Sequence, residues 1–346
     1  MVNQEMFKSK RINTLTISTV CLLLTLFQNS CQTNAPSKRI TIASSGKVNS
    51  LDPARANTLK ALQLISSLGD TLYELDNDGE LIPKLASKMP VISKDKLKIS
   101  ISLKKNILFH DGTPFDSKAM KFTIERFQRI GTNNYILDKK IKSIETPNKN
   151  TLIINLNKPA SSLEGLLTSV NLTAISPSFY KNHIDKFLNN NFVGTGQYVL
   201  KSFSNEVQIL DPNLNYWDLK PKNHGINFVG YSNSSSLYGA LKSKQIDLLL
   251  SNSIDDSQRK DLNFLSKKKE FKEGISNPTE VSFISLRTNI EPLNKKEIRL
   301  AISKTINREE ISKNVSYGLR QPSKSIVPQI FKGDNLVSWP KYSPKE

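Results

Sequence analysis

Between Leu97 and Ile130 the spacing of apolar positions passes from a period of two to a helical period without a break. Leu97, Ile99, Ile101 and Leu103 alternate with Lys98, Ser100, Ser102 and Lys104, which predicts a strand with one face buried and the other wet. Phe109-His110-Asp111-Gly112-Thr113-Pro114-Phe115 follows; Asp-Gly reverses the chain and Thr113, standing before proline, is held extended. Asp116 is the N-cap of a helix whose stripe is Met120, Ile124, Phe127 and Ile130.

The same reading runs through the rest of the chain. Ile40-Thr41-Ile42-Ala43 alternates as a first strand and Leu51-Asp52-Pro53 ends it in a turn. Leu62, Ile65, Gly69 and Leu72 line one side of a helix between Thr58 and Leu72. Ile141–Ile144 and Thr151–Leu156 read as strands about a Pro147-Asn148 turn, and Ser161–Leu188 is helical in tendency but broken at Pro177. Val199, Leu200 and the Val207–Leu210 run suggest a hairpin. Leu237–Leu241 predicts a helix feeding a strand at Gln245–Leu249, and Val281–Leu286 reads as a buried strand. Ile298, Ala301, Ile302 and Thr305 share a helix face; Asn307 with Glu310 suggests a capping box before a stripe of Ile311 and Val315, closed by Gly318.

At 346 residues, 37% apolar and 23% charged, the chain is globular and suited to two or more domains. Lys8, Lys10 and Arg11 precede an apolar run from Leu15 to Phe27, the layout of an export signal too short for a stable membrane span. Only Cys21 and Cys31 exist, and Cys21 lies within that signal, so the mature chain has no pair for a disulfide. Cys31, after small Ser30, fits an acylated lipoprotein terminus, although Gln28 replaces the usual aliphatic; plain cleavage and an uncleaved anchor are the alternatives. Of a formal charge of +18, removal of three bases and one acid with residues 1–30 leaves +16. The densest lysine groups, Lys139-Lys140-Lys142 and Lys267-Lys268-Lys269, have no interleaved aromatics to stack bases, so a solvated surface accounts for them and no nucleic-acid partner is expected.

Pro83-Lys84-Leu85-Ala86, an apolar strand, then Phe109-His110-Asp111-Gly112-Thr113-Pro114 into a helix resembles the signature of the family 5 extracellular solute-binding proteins, the oligopeptide-, dipeptide- and nickel-binding family of ABC importers. Leu51-Asp52-Pro53, Val193-Gly194-Thr195-Gly196, Asn213 with Tyr216-Trp217, Lys220-Pro221-Lys222 and Arg299 with Ala301 match further segments of that family, and the landmarks span residues 40–345. The departures are Lys118-Ala119 where acidic residues are usual, Gln197 for proline and Lys244 for glycine. The resemblance implies an α/β fold of two lobes closing on a ligand, with an extra subdomain. Its boundaries would be a signal at 1–31, a tether at 32–37, lobe I from 38–69 and 190–285, a subdomain at 70–189, and the opening of lobe II at 286–346. It implies a soluble ligand, most often a peptide, and a membrane permease as partner. It places Asn57, Leu59, Tyr135 and Thr195 at the ligand cleft, while the signal layout makes Cys31 the lipidation position. Asn57 as a cap, Leu59 as core and Tyr135 as a surface aromatic are the plain alternatives, and Tyr216-Trp217 reads as packing.

His110, His183 and His224 are scattered without metal-site spacing, and there is no phosphate-cradling loop or nucleophile elbow. No metal, cofactor or catalytic residue is therefore expected. His110 reads as a hydrogen-bonded surface residue of its turn. Phe192–Tyr198 lacks the third glycine and following helix of a dinucleotide loop. Tyr342–Glu346 resembles the start of a segment that continues in the family, so the expectation is a C-terminally incomplete second lobe. The alternative to a ligand carrier is then a degenerate or split fragment with a structural or interaction role that binds no ligand alone, either the product of a disrupted gene or one completed by a separately encoded C-terminal half.

Overall fold

The computed structural model describes residues 39–137, 139–159, 163–183, 185–275, 280–323, 325–328 and 340–344. These belong to a unit running from Arg39 to Glu346; the other unit, Met1–Lys38, on which the expected export signal, Cys31 and the expected tether fall, lies outside the described residues.

Two sheets carry the fold, each with a helix on its apolar face. The first is built from β1 (Ile40–Ser45), β8 (Tyr198–Phe203), β9 (Val207–Pro212), β10 (Ile226–Tyr231) and β11 (Leu248–Leu249), in the order β11-β1-β10-β9-β8. β11, β1 and β10 are parallel, and the β8–β9 hairpin closes one side antiparallel. Helix α1 (Leu59–Leu68) lies on this sheet, and its Ala61, Leu64, Ile65 and Leu68 join Leu210, Ile226 and Phe228 in one core. Thr58 caps it by accepting from the Ala61 N–H, and the helix stops at Gly69, so Leu72 packs beyond it.

The second sheet is the predicted one. β4 (Val91–Ile92), β5 (Lys98–Ser102), β6 (Ile141–Asn148) and β7 (Thr151–Leu156) run antiparallel in the order β4-β5-β7-β6. Helix α2 (Ser117–Ile130) covers it, capped by Asp116, whose carboxylate accepts from the Ala119 N–H at 2.9 Å. Met120, Ile124 and Phe127 are buried against Ile99, Ile101, Leu152 and Ile154, as alternation on one element and helical spacing on the other require. A small hairpin, β2 (Tyr73–Leu75) with β3 (Leu81–Pro83), adds to this core. Pro177 does more than break a helix: it opens α3 (Pro177–Lys181), where its fixed φ suits the first turn.

Further on, α4 (Ser234–Lys242) packs on the other face of the five-stranded sheet through Leu237 and Ala240. α5 (Asp256–Lys267) had no counterpart in the hydrophobic pattern; it buries no residue completely. Val281–Leu286 departs from expectation. It is irregular rather than a buried strand, with Phe283 and Ile284 each 69% exposed, because among the described residues no strand lies beside it to pair with its main chain. The predicted stripes on α6 (Lys296–Thr305) and α7 (Arg308–Val315) form, yet Ile298, Leu300, Ile311 and Val315 remain exposed.

Candidate functional site

The carboxyl ends of β1, β10 and β11 point the same way, and the loop leaving β1 begins the candidate site, since open α/β sheets take ligands in the crevice beyond that edge. Leu51-Asp52-Pro53 lies in this loop. Asp52 is fully buried and Arg126, on α2, is 4% exposed. The guanidinium donates through Nη1 and Nη2 to the two carboxylate oxygens of Asp52, each at 2.6 Å. Asp52 also accepts from the Ala54 N–H at 3.1 Å, and the Arg126 guanidinium stands 5.1 Å from the centre of the Tyr180 ring. Burial, and then the Asp52 charge, push the Tyr180 phenol well above its ordinary range. The pair ties the first turn of one core to the helix of the other.

More bonds fix the same loop. Asn171 Nδ2 donates to the carbonyls of Pro53 and Ala56. Thr132, just past α2, donates its N–H to Ala54 and its hydroxyl to Arg55. Asn49 Oδ1 accepts from the Thr58 hydroxyl at 3.0 Å. Asn57 and Leu59 project from this braced turn, both exposed, Leu59 at 46%. Tyr135 stands three residues past Thr132 in a 3-10 turn, Asn134–Ile136, and is 72% exposed. Thr132, three residues before Tyr135, is thus bonded to the loop that carries Asn57.

Thr195 is elsewhere, and the expectation that it faces an open cleft is corrected: it is fully buried. Its hydroxyl donates to Asp70 Oδ2 at 2.9 Å and accepts from the Asp70 N–H at 3.2 Å, which uses both roles. Asp70 also accepts from the Tyr216 hydroxyl at 2.9 Å and from Trp217 Nε1 at 3.0 Å. Burial raises the Asp70 pKa, against the pull of bonds from Trp217, Thr195 and Tyr216 and of the Lys84 charge. The Tyr216-Trp217 pair thus holds a buried carboxylate, the packing role its sequence suggested. On the outer side of Trp217, Lys104 Nζ stands 4.3 Å from the ring centre.

The glycines around Thr195 answer to close approach. A Cβ at Gly196 would meet the Leu68 carbonyl carbon at 2.3 Å and the Gly69 nitrogen at 2.4 Å, and the Gly196 N–H donates to the Leu68 carbonyl at 3.0 Å. The Phe109–Pro114 turn docks on the same segment. The His110 N–H donates to the Gly194 carbonyl at 2.9 Å, and Nε2 stands 3.1 Å from the Gly196 carbonyl. His110 is therefore a partly buried strut and not a surface residue; burial pushes its pKa down against the Gly196 bond and the Asp111 charge. Asp111 accepts from Thr113, Ser176 and Ser178; burial works to raise its pKa, and these bonds together hold it low.

Spacing held a signal for Arg126: it falls on the buried arc of α2 with Thr123 and Phe127, and a cation at such a position requires a partner. Nothing local marked Asp70, whose partners lie 125 to 147 residues away. Among the described residues no group of three or more His, Cys, Asp or Glu side chains could hold a metal ion.

The pattern describing bacterial extracellular solute-binding proteins, family 5 (Middle), matches residues 80–346. Glutathione-binding protein GsiB of Salmonella paratyphi A is 25% identical over 313 residues, covering 89% of this chain and 59% of its own length. The chain thus spans about 59% of that curated relative. Among solved structures, NikZ of Campylobacter jejuni in complex with Ni(L-His) is 25% identical with a TM-score of 0.75, covering 90% of this chain and 62% of NikZ. DppA of Helicobacter pylori in complex with the peptide STSA is 23% identical with a TM-score of 0.74, covering 89% of this chain and 64% of DppA.

Proposed function

The chain belongs to the bacterial extracellular solute-binding proteins of family 5, and from that membership we propose that it is the capture component of an ABC importer, taking a small solute, foremost a peptide, to a membrane permease. It holds the ligand without acting on it chemically. The observation that supports the reading is the turn at the carboxyl edge of β1, which carries Asn57 and leads into Leu59, exposed on a loop braced by Arg126, Asn171 and Thr132. The ligands named for the relatives are glutathione, a nickel–histidine complex and a peptide.

The division into lobes is part of this proposal. β1 pairs with β10 and β11, which supports joining residues 38–69 to 190–285, and β2 to β7 fall wholly within 70–189. Residues 286–346 would open the second lobe. Tyr135→Ala is expected to lower affinity for glutathione or a short peptide about tenfold, ~1.4 kcal/mol. Stability should hold within about 0.5 kcal/mol, because the ring is mostly in solvent. Calorimetric titration of both proteins decides it, and equal affinities would return Tyr135 to a surface role. The exposed apolar side chains of Phe283, Ile284, Ile298 and Ile311 favour a second reading, association with a separately encoded C-terminal half. In that case ligand raises the melting temperature only when the second polypeptide is added.

Acylation of Cys31, which lies outside the described residues, would hold the protein on the membrane after export. Cys31→Ala is then expected to move from the membrane fraction to the soluble exported fraction. Equal membrane retention of the two forms would sink the lipid anchor.

A further inference from the structure

Lys60 breaks three rules of placement at once. It stands in the first turn of α1, the end of a helix that disfavours a cation, and no acidic residue shares that turn. It is 4% exposed. Its ammonium has no carboxylate within ion-pairing distance among the described residues: Nζ donates to the Gly46 carbonyl at 3.3 Å and stands 5.6 Å from the centre of the Phe228 ring. Burial lowers its pKa, with no neighbouring charge to oppose it. A buried cation left in this state is costly, and residues that break local rules in this way gather at functional sites.

The surroundings say what would complete it. A Cβ at Gly230 would come within 2.4 Å of Lys60 Nζ, so the bare backbone at that position is what admits the ammonium. Ser44 is paired with Gly230 across β1 and β10, and Gln208 with Phe228 across β9 and β10, which sets Ser44, Gly230, Phe228 and Gln208 on one sheet face. Ser44 is 2% exposed and Gln208 fully buried, and Ser44 Oγ and Gln208 Oε1 have no hydrogen-bond partner in the protein. Gly46, at φ +88 and exposed, has nothing within 4 Å of where a Cβ would stand, so the turn whose carbonyl holds the ammonium borders solvent. Lys60 and Ser44 offer two donors for a carboxylate, and Gln208 offers an acceptor for an amide N–H; together they complement the C-terminal unit of a peptide.

We infer that Lys60, packed over the sheet face that carries Ser44 and Gln208, is the anchor for a ligand carboxylate at the carboxyl edge of β1 and β10. The inference rests on the binding-protein reading for the identity of the ligand, but its first test does not. With lysines carrying 13C-methyl labels, the Lys60 resonance, assigned by its absence in Lys60→Met, should move saturably as acetate is added. A shift no larger than that of the surface lysines overturns the inference. In the second test, trialanine and trialanine amide are titrated into both proteins. Lys60→Met should weaken the free acid at least tenfold and leave the amide unchanged; equal effects on the two overturn it. Lys60→Met should also melt no lower than the wild type, since it keeps the aliphatic stem and removes an unpaired charge. A clear drop would make Lys60 a structural tether of Gly46 and sink the inference. If acetate saturates the Lys60 signal while neither peptide binds, the carboxylate anchor stands and the peptide-carrier reading falls.

Discussion

Replacing Arg126 by methionine is expected to cost about 3–5 kcal/mol of stability, because it leaves the Asp52 carboxylate buried with its strongest partner gone. Methionine keeps most of the side-chain volume, so the loss reports the charge and not a cavity. Asp52→Leu together with Arg126→Met should recover a large part of the deficit, since exchange of a buried ion pair for apolar groups is often near neutral. Recovery should stop short of the wild type, because Asp52 also accepts the Ala54 N–H. Urea unfolding of the two variants measures this, with the m-value unchanged if only the native state is affected. A loss below about 1 kcal/mol for Arg126→Met would mean that the pair is less desolvated than its geometry shows. Any loosening should appear first in the turn that carries Asn57 and Leu59, so ligand affinity should fall along with stability.

The second large effect is steric. At Gly196 the three atoms nearest an added methyl are all main-chain, the Leu68 carbonyl carbon and oxygen at 2.3 and 2.7 Å and the Gly69 nitrogen at 2.4 Å, none of which can rotate away. Gly196→Ala must therefore part the segment from the end of α1. That strains the Leu68 bond and the bonds that His110 and Asn213 make to the Gly196 carbonyl. The expected cost is about 3 kcal/mol or more, at or above the upper end of ordinary overpacking. Gly239 supplies the contrast: it lies within α4, exposed and with nothing within 4 Å of a Cβ. Gly239→Ala should stabilise by about 0.5–1 kcal/mol through helix propensity. Thermal unfolding of the two variants gives the comparison, and a similar small effect at both positions would remove close approach as the reason for Gly196.

What could be read along the chain was what local periodicity and local caps determine. The β5 strand and the α2 helix carry their burial in their own spacing, and Asp116 caps α2 from the adjoining residue. Val281–Leu286 has strand propensity throughout, but a strand exists only where a neighbour takes its main-chain bonds. The candidate site divides along the same line. Exposure at Asn57, Leu59 and Tyr135 accords with their positions in loops or at an element's start. The burial of Thr195 depends on Asp70 arriving from the far end of α1, and that of Lys60 on a glycine in β10. Charged residues inside a core are set by distant partners, which spacing does not display.

The order of the strands also bears on the timing of assembly. Ser45 pairs with Tyr231, so β1 leaves the ribosome 186 residues ahead of the end of its partner. At about 5–20 residues per second it waits roughly 10–40 seconds for β10 to be made. The β5–β7 ladder joins Ser102 to Thr151, a far shorter span, and can close well before then. The first segment of the five-stranded sheet thus remains an unpaired strand while some 186 residues are made, and the parallel pairing that shapes the candidate site forms only after the β5–β7 ladder can have closed.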